Sequence, residues 1–338
     1  MPVVPLLDSK TKHNMKMNTI DGTFAVASDN LTNPYLGLFA LSLGATTSQI
    51  GMLNAFPALL GNILQIPYGI LGEKVKDRRK IIIIGSILNR FSWILMGFIP
   101  FMVPSELRVP IVILIATLRV VGGNLGVPAW TSIQAELIPR EIRGNYYSNR
   151  NMILNISGLI ATLIAGKLLK IAFPYNYQIL FVIAFILGIC SLISFTKIKI
   201  DQLPKEHTQK VSDEKKVIRI KNFMQTIRSN KTFSNYCLST VIWNIGVTLV
   251  SPLISIYFIK DLTGTAEYWA YIQAAGTAAG ILCQKFWGPL VDEFGQKNVM
   301  SKSGIGVVLI PFLWFIAPNN VFGLLINFWG GLCGEVII

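Results

Sequence analysis

The sequence predicts an all-α membrane protein made of two related helical bundles. Three observations carry that prediction. Of 338 residues, 52% are apolar and 14% charged, with a mean hydropathy of +0.54; soluble chains average about 25% charged residues. Apolar stretches of about 20 residues, enough to cross a bilayer core of about 30 Å, recur along the whole length. The chain also repeats itself, since Gly69-Ile-Leu71-Gly-Glu73-Lys74 returns about 219 residues later as Gly288-Pro-Leu290-Val-Asp292-Glu, again between two long apolar stretches.

Ten spans follow, at 20–43, 48–71, 81–103, 109–134, 146–169, 177–196, 233–259, 267–290, 299–317 and 320–338. Span 1 holds Asp29 and a kink expected at Pro34, where the proline ring breaks the helical bonding. Span 2 ends in the basic turn Lys74–Lys80. Span 3 carries Arg90, but about a dozen Leu, Ile and Phe between Ile81 and Phe101 contribute roughly −0.3 to −0.6 kcal/mol each and offset it. Span 4 carries Arg119, and span 6 closes the first bundle, 1–196. A basic linker, 197–231, includes a stretch from Val217 to Ile227 whose apolar residues fall at helical spacing between cations. That pattern suits either a helix on an anionic membrane surface or a solvated tether. Spans 7 to 10 form the second bundle, 232–338.

The repeat extends beyond one turn. Pro34 to Gly69 is matched by Pro252 to Gly288, and Arg119-Val-Val-Gly122-Gly123 by Asn327-Phe-Trp-Gly330-Gly331. Duplicated helix sets are a common plan for transporters. In this register the chain reaches the equivalent of span 4 in its second copy, so ten of an expected twelve spans are present.

The net charge of +13 is sorted by side. With the N-terminus assigned to the cytoplasm, 24 of the 30 Lys and Arg fall in inner regions, and only Arg108, Lys167, Lys170 and Lys260 at outer ends. Such sorting sets topology in a cell membrane and gives no reason to expect a nucleic-acid partner. Four single cysteines in apolar helices are expected to be small buried hydrophobes. Two distant histidines, His13 and His207, give no metal spacing, and no Walker pattern is present, so neither a metal nor another cofactor is expected.

The two copies of the turn motif, the Arg119-x-x-x-Gly123 motif of span 4 and the entrance Ile138-Pro139-Arg-Glu-Ile-Arg143-Gly144 together resemble the major facilitator superfamily. The second turn fits at Gly288, Leu290, Asp292, Gly295 and Lys297. The first fits at Gly69 and Leu71 but has Glu73 for the acid and Lys76 for a glycine. The resemblance implies two pseudo-symmetric bundles and a cytoplasmic latch of Gly69, Glu73, Lys74, Arg78, Arg143, Gly288, Asp292, Gly295 and Lys297, with Asp292 set against the start of span 5 near Arg143. Small residues such as Gly69 and Gly288 allow backbones to approach within lipid. It also implies that spans 1, 4, 7 and 10 line a central cavity while span 3 packs outside. Asp29 and Arg119 would then share a wall, and Arg90 would be a packing residue. Asn244, Gln273, Asn327 and Glu335 are the cavity candidates of the second half, beside the aromatic Trp243 and Tyr271.

Buried charges cost about 2.5–3.5 kcal/mol each at a span centre. Arg90 and Arg119 lie about ten residues into their spans, or about 15 Å, near the midplane. Two arginines against one aspartate tilt the first half toward an anionic solute. The expectation is a secondary active transporter of a small solute in a lipid bilayer, with a co-transported proton or ion. The alternatives are a non-transporting receptor or scaffold on the same fold, or a non-functional truncated copy. An enzyme is not expected, since no serine–histidine pairing or metal cluster stands out.

Overall fold

The computed structural model describes residues 8–75, 77–139, 142–199, 225, 229–294, 296–317 and 320–334. Among these, all regular structure is helical. The helices are α1 Ser9–Thr32, α2 Leu36–Ser42, α3 Thr47–Ile63, α4 Gln65–Lys74, α5 Arg78–Met102, α6 Ser105–Leu125 and α7 Val127–Leu137. They continue with α8 Arg143–Leu168, α9 Tyr175–Thr196, α10 Lys231–Lys260, α11 Ala266–Phe294, α12 Gln296–Phe315 and α13 Asn320–Gly334.

These helices make ten rods in the order that the sequence predicts. The first is α1 and α2 joined by the 3-10 turn Asn33–Tyr35, which confirms the break expected at Pro34. The second and fourth are also broken, at Leu64 and Gly126. Thr46 and Gln49 close the start of α3 with a reciprocal capping box, and Asp77 accepts from Arg79 N at 3.1 Å to start α5. Such caps satisfy backbone donors that a helix start leaves free.

The first rod starts at Ser9, well before the predicted residue 20. Its polar first turns have partners. Asn14 exchanges two hydrogen bonds with Lys199, and Asn18 Nδ2 and Gln134 Nε2 each donate to the other's side-chain oxygen, at 2.8 and 2.7 Å. Among the described residues, six segments are long and apolar enough to cross a bilayer alone, including Arg78–Met102, Ser105–Leu137 and Tyr175–Thr196. The first rod does not reach that mark, because α1 carries many polar and charged residues and α2 is only seven residues long.

In the first half, α1 packs along α8 and α9, α5 along α6 and α9, and α3 along α6. In the second half, α13 packs on α11 and α12. Glycines set the tightest crossings. A Cβ on Gly85 would lie 2.6 Å from Gly122 O, and one on Gly331 would collide with Gly276 O. Gly69 behaves otherwise, since a Cβ there would meet nothing within 4 Å. The close helix contact expected at Gly69 is therefore corrected to the crossing α5–α6, where the backbones do approach.

One apolar core spans the halves, with an aromatic group in each. Trp93 stacks on Phe181 at 5.4 Å, Phe39 meets Phe181 edge-on at 5.1 Å, and Phe258 and Trp269 lie 5.6 Å apart. Many outward side chains are large and apolar, with Phe315 83% exposed, as a lipid-facing surface requires. The four cysteines are free and half-buried rather than fully buried.

Among the described residues, contact between the halves is clearest at one end. Residues toward the end of α10, such as Ile256 and Phe258, are buried, whereas Tyr236, Leu238, Val241 and Ile242 near its start are exposed. The halves meet through α8 on α11 and α10 on α2 and α3. At the same end as Ile256 and Phe258, Lys170 Nζ and Glu267 Oε1 pair at 2.9 Å across the halves. A Cβ on Gly166 would lie 2.8 Å from Ala270 Cβ.

A charged cluster in the first bundle

The breaks and glycines of the first half bring three charges together. Asp29 lies on the last full turns of α1, and the 3-10 turn that follows presents Asn33. Arg119, on α6, donates from Nη2 to Asn33 Oδ1 at 2.7 Å. Its guanidinium carbon lies 4.2 Å above the Trp93 ring. Its Nη1 is 3.9 Å from Asp29 Oδ1. Arg90 Nη1, on α5, is 3.6 Å from the same oxygen.

Arg90 thus belongs with Asp29 and Arg119, which corrects its expected role as an outer packing residue. Gly188 of α9 makes this possible, because a Cβ there would collide with the Arg90 side chain. Asn89 supports both arginines. Its Nδ2 donates to Arg119 O at 3.2 Å, and its Oδ1 accepts from Arg90 Nη1 at 3.4 Å. Gly123, the glycine of the span 4 motif, leaves room for that Asn89 amide, 2.8 Å from where a Cβ would stand.

Magnitudes show what is unbalanced. At an effective dielectric of about 20, a pair about 4 Å apart gains about 4 kcal/mol, close to the cost of burying one charge. A single carboxylate therefore offsets one guanidinium. The second is held by Trp93, worth about 0.5–2 kcal/mol, and by the Asn33 bond. Both Nε atoms, of Arg90 and Arg119, are buried without a hydrogen-bond partner. The Asp29 side chain is 42% exposed, so the cluster is open on its acidic side.

Lower on α1, Asp21 accepts from Ser191 Oγ at 2.6 Å, and Gly22 leaves space for the Arg150 guanidinium. The sequence reading passed over both. In the second half, Asn327 Nδ2 donates to Gln273 Oε1 at 2.8 Å and to Ile272 O at 2.9 Å, joining two of the cavity candidates. Asn244 is exposed and bonds to Thr240 of its own helix. Trp243 is half-buried, and Tyr271 donates to Glu267 at the end where the halves meet.

The latch residues divide. Arg78 makes a bidentate pair with Glu136, at 2.9 and 2.8 Å, within the first half. Arg143 Nη2 donates to Ala135 O and Ile138 O, capping the end of α7. Gly295 and Glu335 lie outside the described residues, as do the side chains of Glu73, Lys74, Asp292 and Lys297 and the surroundings of Gly288. Most of the linker, with its amphipathic stretch, also lies outside them.

The sequence model of the Major Facilitator Superfamily matches residues 22–337. The chain belongs to this superfamily. An uncharacterised MFS-type transporter of Methanocaldococcus jannaschii is 24% identical over 86% of this chain and 70% of its own length. A multidrug resistance protein of Enterobacter lignolyticus is 24% identical over 96% of this chain and 76% of its own. Among solved structures, a D-xylose-proton symporter superposes with a TM-score of 0.70 at 16% identity, over 97% of this chain and 80% of the other. The nucleoside transporter NupG gives 0.73 at 11%, over 95% and 80%. The superfamily fold, a multi-pass bundle of membrane helices, is thereby shown.

Proposed function

We propose that the protein is a secondary active transporter that carries a small solute by alternating access, driven by a proton or ion gradient. The observation that carries the proposal is the Asp29–Arg90–Arg119 cluster, three charges from three helices, of which Arg90 and Arg119 stand about ten residues into their spans, or about 15 Å. Charges that deep are costly and persist where they meet a solute or an ion. The contact between the halves at one end of the described seam supports the same reading. Rocking about a central site needs one end closed while the other stands open. With the basic turns on the cytoplasmic side, the exposed start of α10 corresponds to an inward-open arrangement. The matched relatives include a sugar symporter, a nucleoside transporter and multidrug resistance proteins, so superfamily membership leaves the cargo open.

The test is flux in proteoliposomes with and without an imposed pH gradient. Gradient-dependent accumulation is expected, with at least a tenfold loss in Arg119→Gln and in Asp29→Asn. Flux indifferent to both substitutions would overturn the assigned site. Ligand binding without any flux would turn the reading to a receptor on a transporter fold.

A further inference from the structure

We infer that the lipid-facing seam between α5 and α9 seats one anionic phospholipid of the inner leaflet. Its phosphate would lie on Arg79, Lys80, Lys197 and Lys199, and its acyl chains along the two helices toward Phe91. The inference does not depend on what the protein carries.

The headgroup end is a built junction. α5 starts at Arg78 and α9 ends at Thr196, and Arg79 Nη2 donates to Thr196 O between them. His13 Nε2 bonds to Lys197 O at 3.1 Å, and Asn14 exchanges bonds of 2.9 and 2.8 Å with the Lys199 backbone. Ile198, between them, is buried. The backbone after α9 is therefore fixed against α1, while Lys197 and Lys199 remain exposed. A helix C-terminus ordinarily repels an anion. Here two of its carbonyls already accept from Arg79 and His13.

Charge at the junction is unbalanced. Arg78 is held by Glu136, and Arg143 by the end of α7. Asp77 turns back to accept from Arg79 N. Among the described residues, no carboxylate pairs with Lys80, Lys197, Lys199 or the Arg79 guanidinium. That guanidinium carries five N–H donors, and the structure records a bond from one of them. Arginine suits phosphate in particular, because its planar fork matches two oxygens at once. Topological sorting places cations on one side of a bilayer, but it does not gather them at one helix junction.

From the junction toward the midplane, both helices present apolar side chains to lipid. On α5, Lys80 is followed on one helical face by Ile84, Ile87, Leu88 and Phe91, all exposed. On α9, Ile193 and Ile186 precede Lys197 at helical spacing and are exposed as well. The rings of Phe91 and Phe185 meet edge-on at 5.1 Å, so the two faces adjoin. Lys80 to Phe91 is eleven residues, or about 16 Å at 1.5 Å per residue. That is about half of a 30 Å bilayer core, the depth of one leaflet's chains. The cations thus stand at headgroup level, and the apolar stripe ends where the tails end. Each Lys or Arg near an anionic leaflet strengthens the attraction about fivefold. Because Lys197 opens the linker, a lipid seated here also fixes where the linker leaves the first bundle.

The experiment titrates the purified protein in detergent with phosphatidylglycerol, and separately with phosphatidylcholine of the same acyl chains. Native mass spectrometry counts bound lipid, and melting temperature is the second readout. One phosphatidylglycerol per chain is expected to bind at least fivefold tighter than phosphatidylcholine and to raise the melting temperature saturably. Lys197→Gln with Lys199→Gln should bind it at least fivefold more weakly. The recorded bonds at these two positions run through backbone atoms, so the clasp itself is retained. Lys231→Gln with Lys302→Gln removes as many cations from the second half and should stay within twofold of wild type. Equal losses in the two double variants would reveal diffuse attraction and overturn the site. So would equal binding of the two lipids. A matching rise in melting temperature with inorganic phosphate or glycerol 3-phosphate would assign the junction to a soluble anion and overturn the lipid. If the first double variant fails to fold, Lys80→Gln decides: a loss of at least threefold is expected, and a loss under twofold overturns the inference.

Discussion

Asn33 and Gly188 decide whether the charged cluster exists. Asn33 supplies the only bond under 3 Å that the structure records from the Arg119 guanidinium. A hydrogen bond to a charged group contributes about 1.5–3 kcal/mol. Asn33→Ala should therefore weaken solute binding by roughly tenfold to a hundredfold, as measured by binding in detergent, while leaving the melting temperature within a few degrees of wild type. Gly188→Ala acts from the other side, because its new methyl group must displace Arg90. Overpacking of this kind costs about 1–3 kcal/mol, so both melting temperature and flux should fall. Flux at wild-type levels in Gly188→Ala would mean that Arg90 is idle. The sequence made Asp29 and Arg119 visible, since a charge within an apolar run stands out. It misassigned Arg90 because span order says which helix is outer, but not which face of it turns inward. A small residue on a neighbouring span is the signal that could have helped, and it is visible only once the neighbour is known.

At the level of helices, α8 and α11 form the main seam between the halves. The Lys170–Glu267 pair closes its exposed end. The hydrogen bond that Lys170 donates to the Glu267 carboxylate holds its ammonium above the usual lysine range. A raised value means that the charged form is favoured in the closed seam. The pair's contribution is therefore complete below the ordinary lysine range and is lost as pH climbs through the raised value. It also weakens in acid, once Glu267 takes up a proton. Opening of the seam, followed by fluorescence from probes on α8 and α11, should accordingly increase at strongly alkaline pH. Lys170→Glu or Glu267→Lys alone should open the seam at neutral pH, and the combined swap should close it again. If the swap fails to restore closure, the pair is a passive surface contact. Arg78–Glu136 serves within one bundle, joining the start of α5 to the end of α7. With Glu136 half exposed, Arg78→Ala should cost only about 1 kcal/mol. The sequence placed Arg78 in a latch between halves; motif position could not show that its partner would be Glu136.

For the whole molecule, exposure along α10 makes a sharp prediction. In a cysteine-free background, Tyr236→Cys should react with a membrane-impermeant thiol reagent from the cytoplasmic side, and Ile256→Cys from neither side. Cysteines in the Lys74 and Lys297 turns should likewise be silent to reagent applied from outside the cell. Labelling of those turns from outside would invert the topology and with it the inward-open reading. Membrane character, the all-helical architecture, the break at Pro34 and the superfamily were all legible in the chain. Each follows from local runs of apolar residues, a proline's missing donor, or a motif repeated in register. Such features are properties of short segments and need no partner to be seen. Which charge meets which carboxylate, where backbones touch and which end of the seam is closed were decided by tertiary structure. Those outcomes depend on helix rotation and on residues far apart in sequence, such as Gly188 beside Arg90 and Lys170 beside Glu267, whose proximity only packing creates.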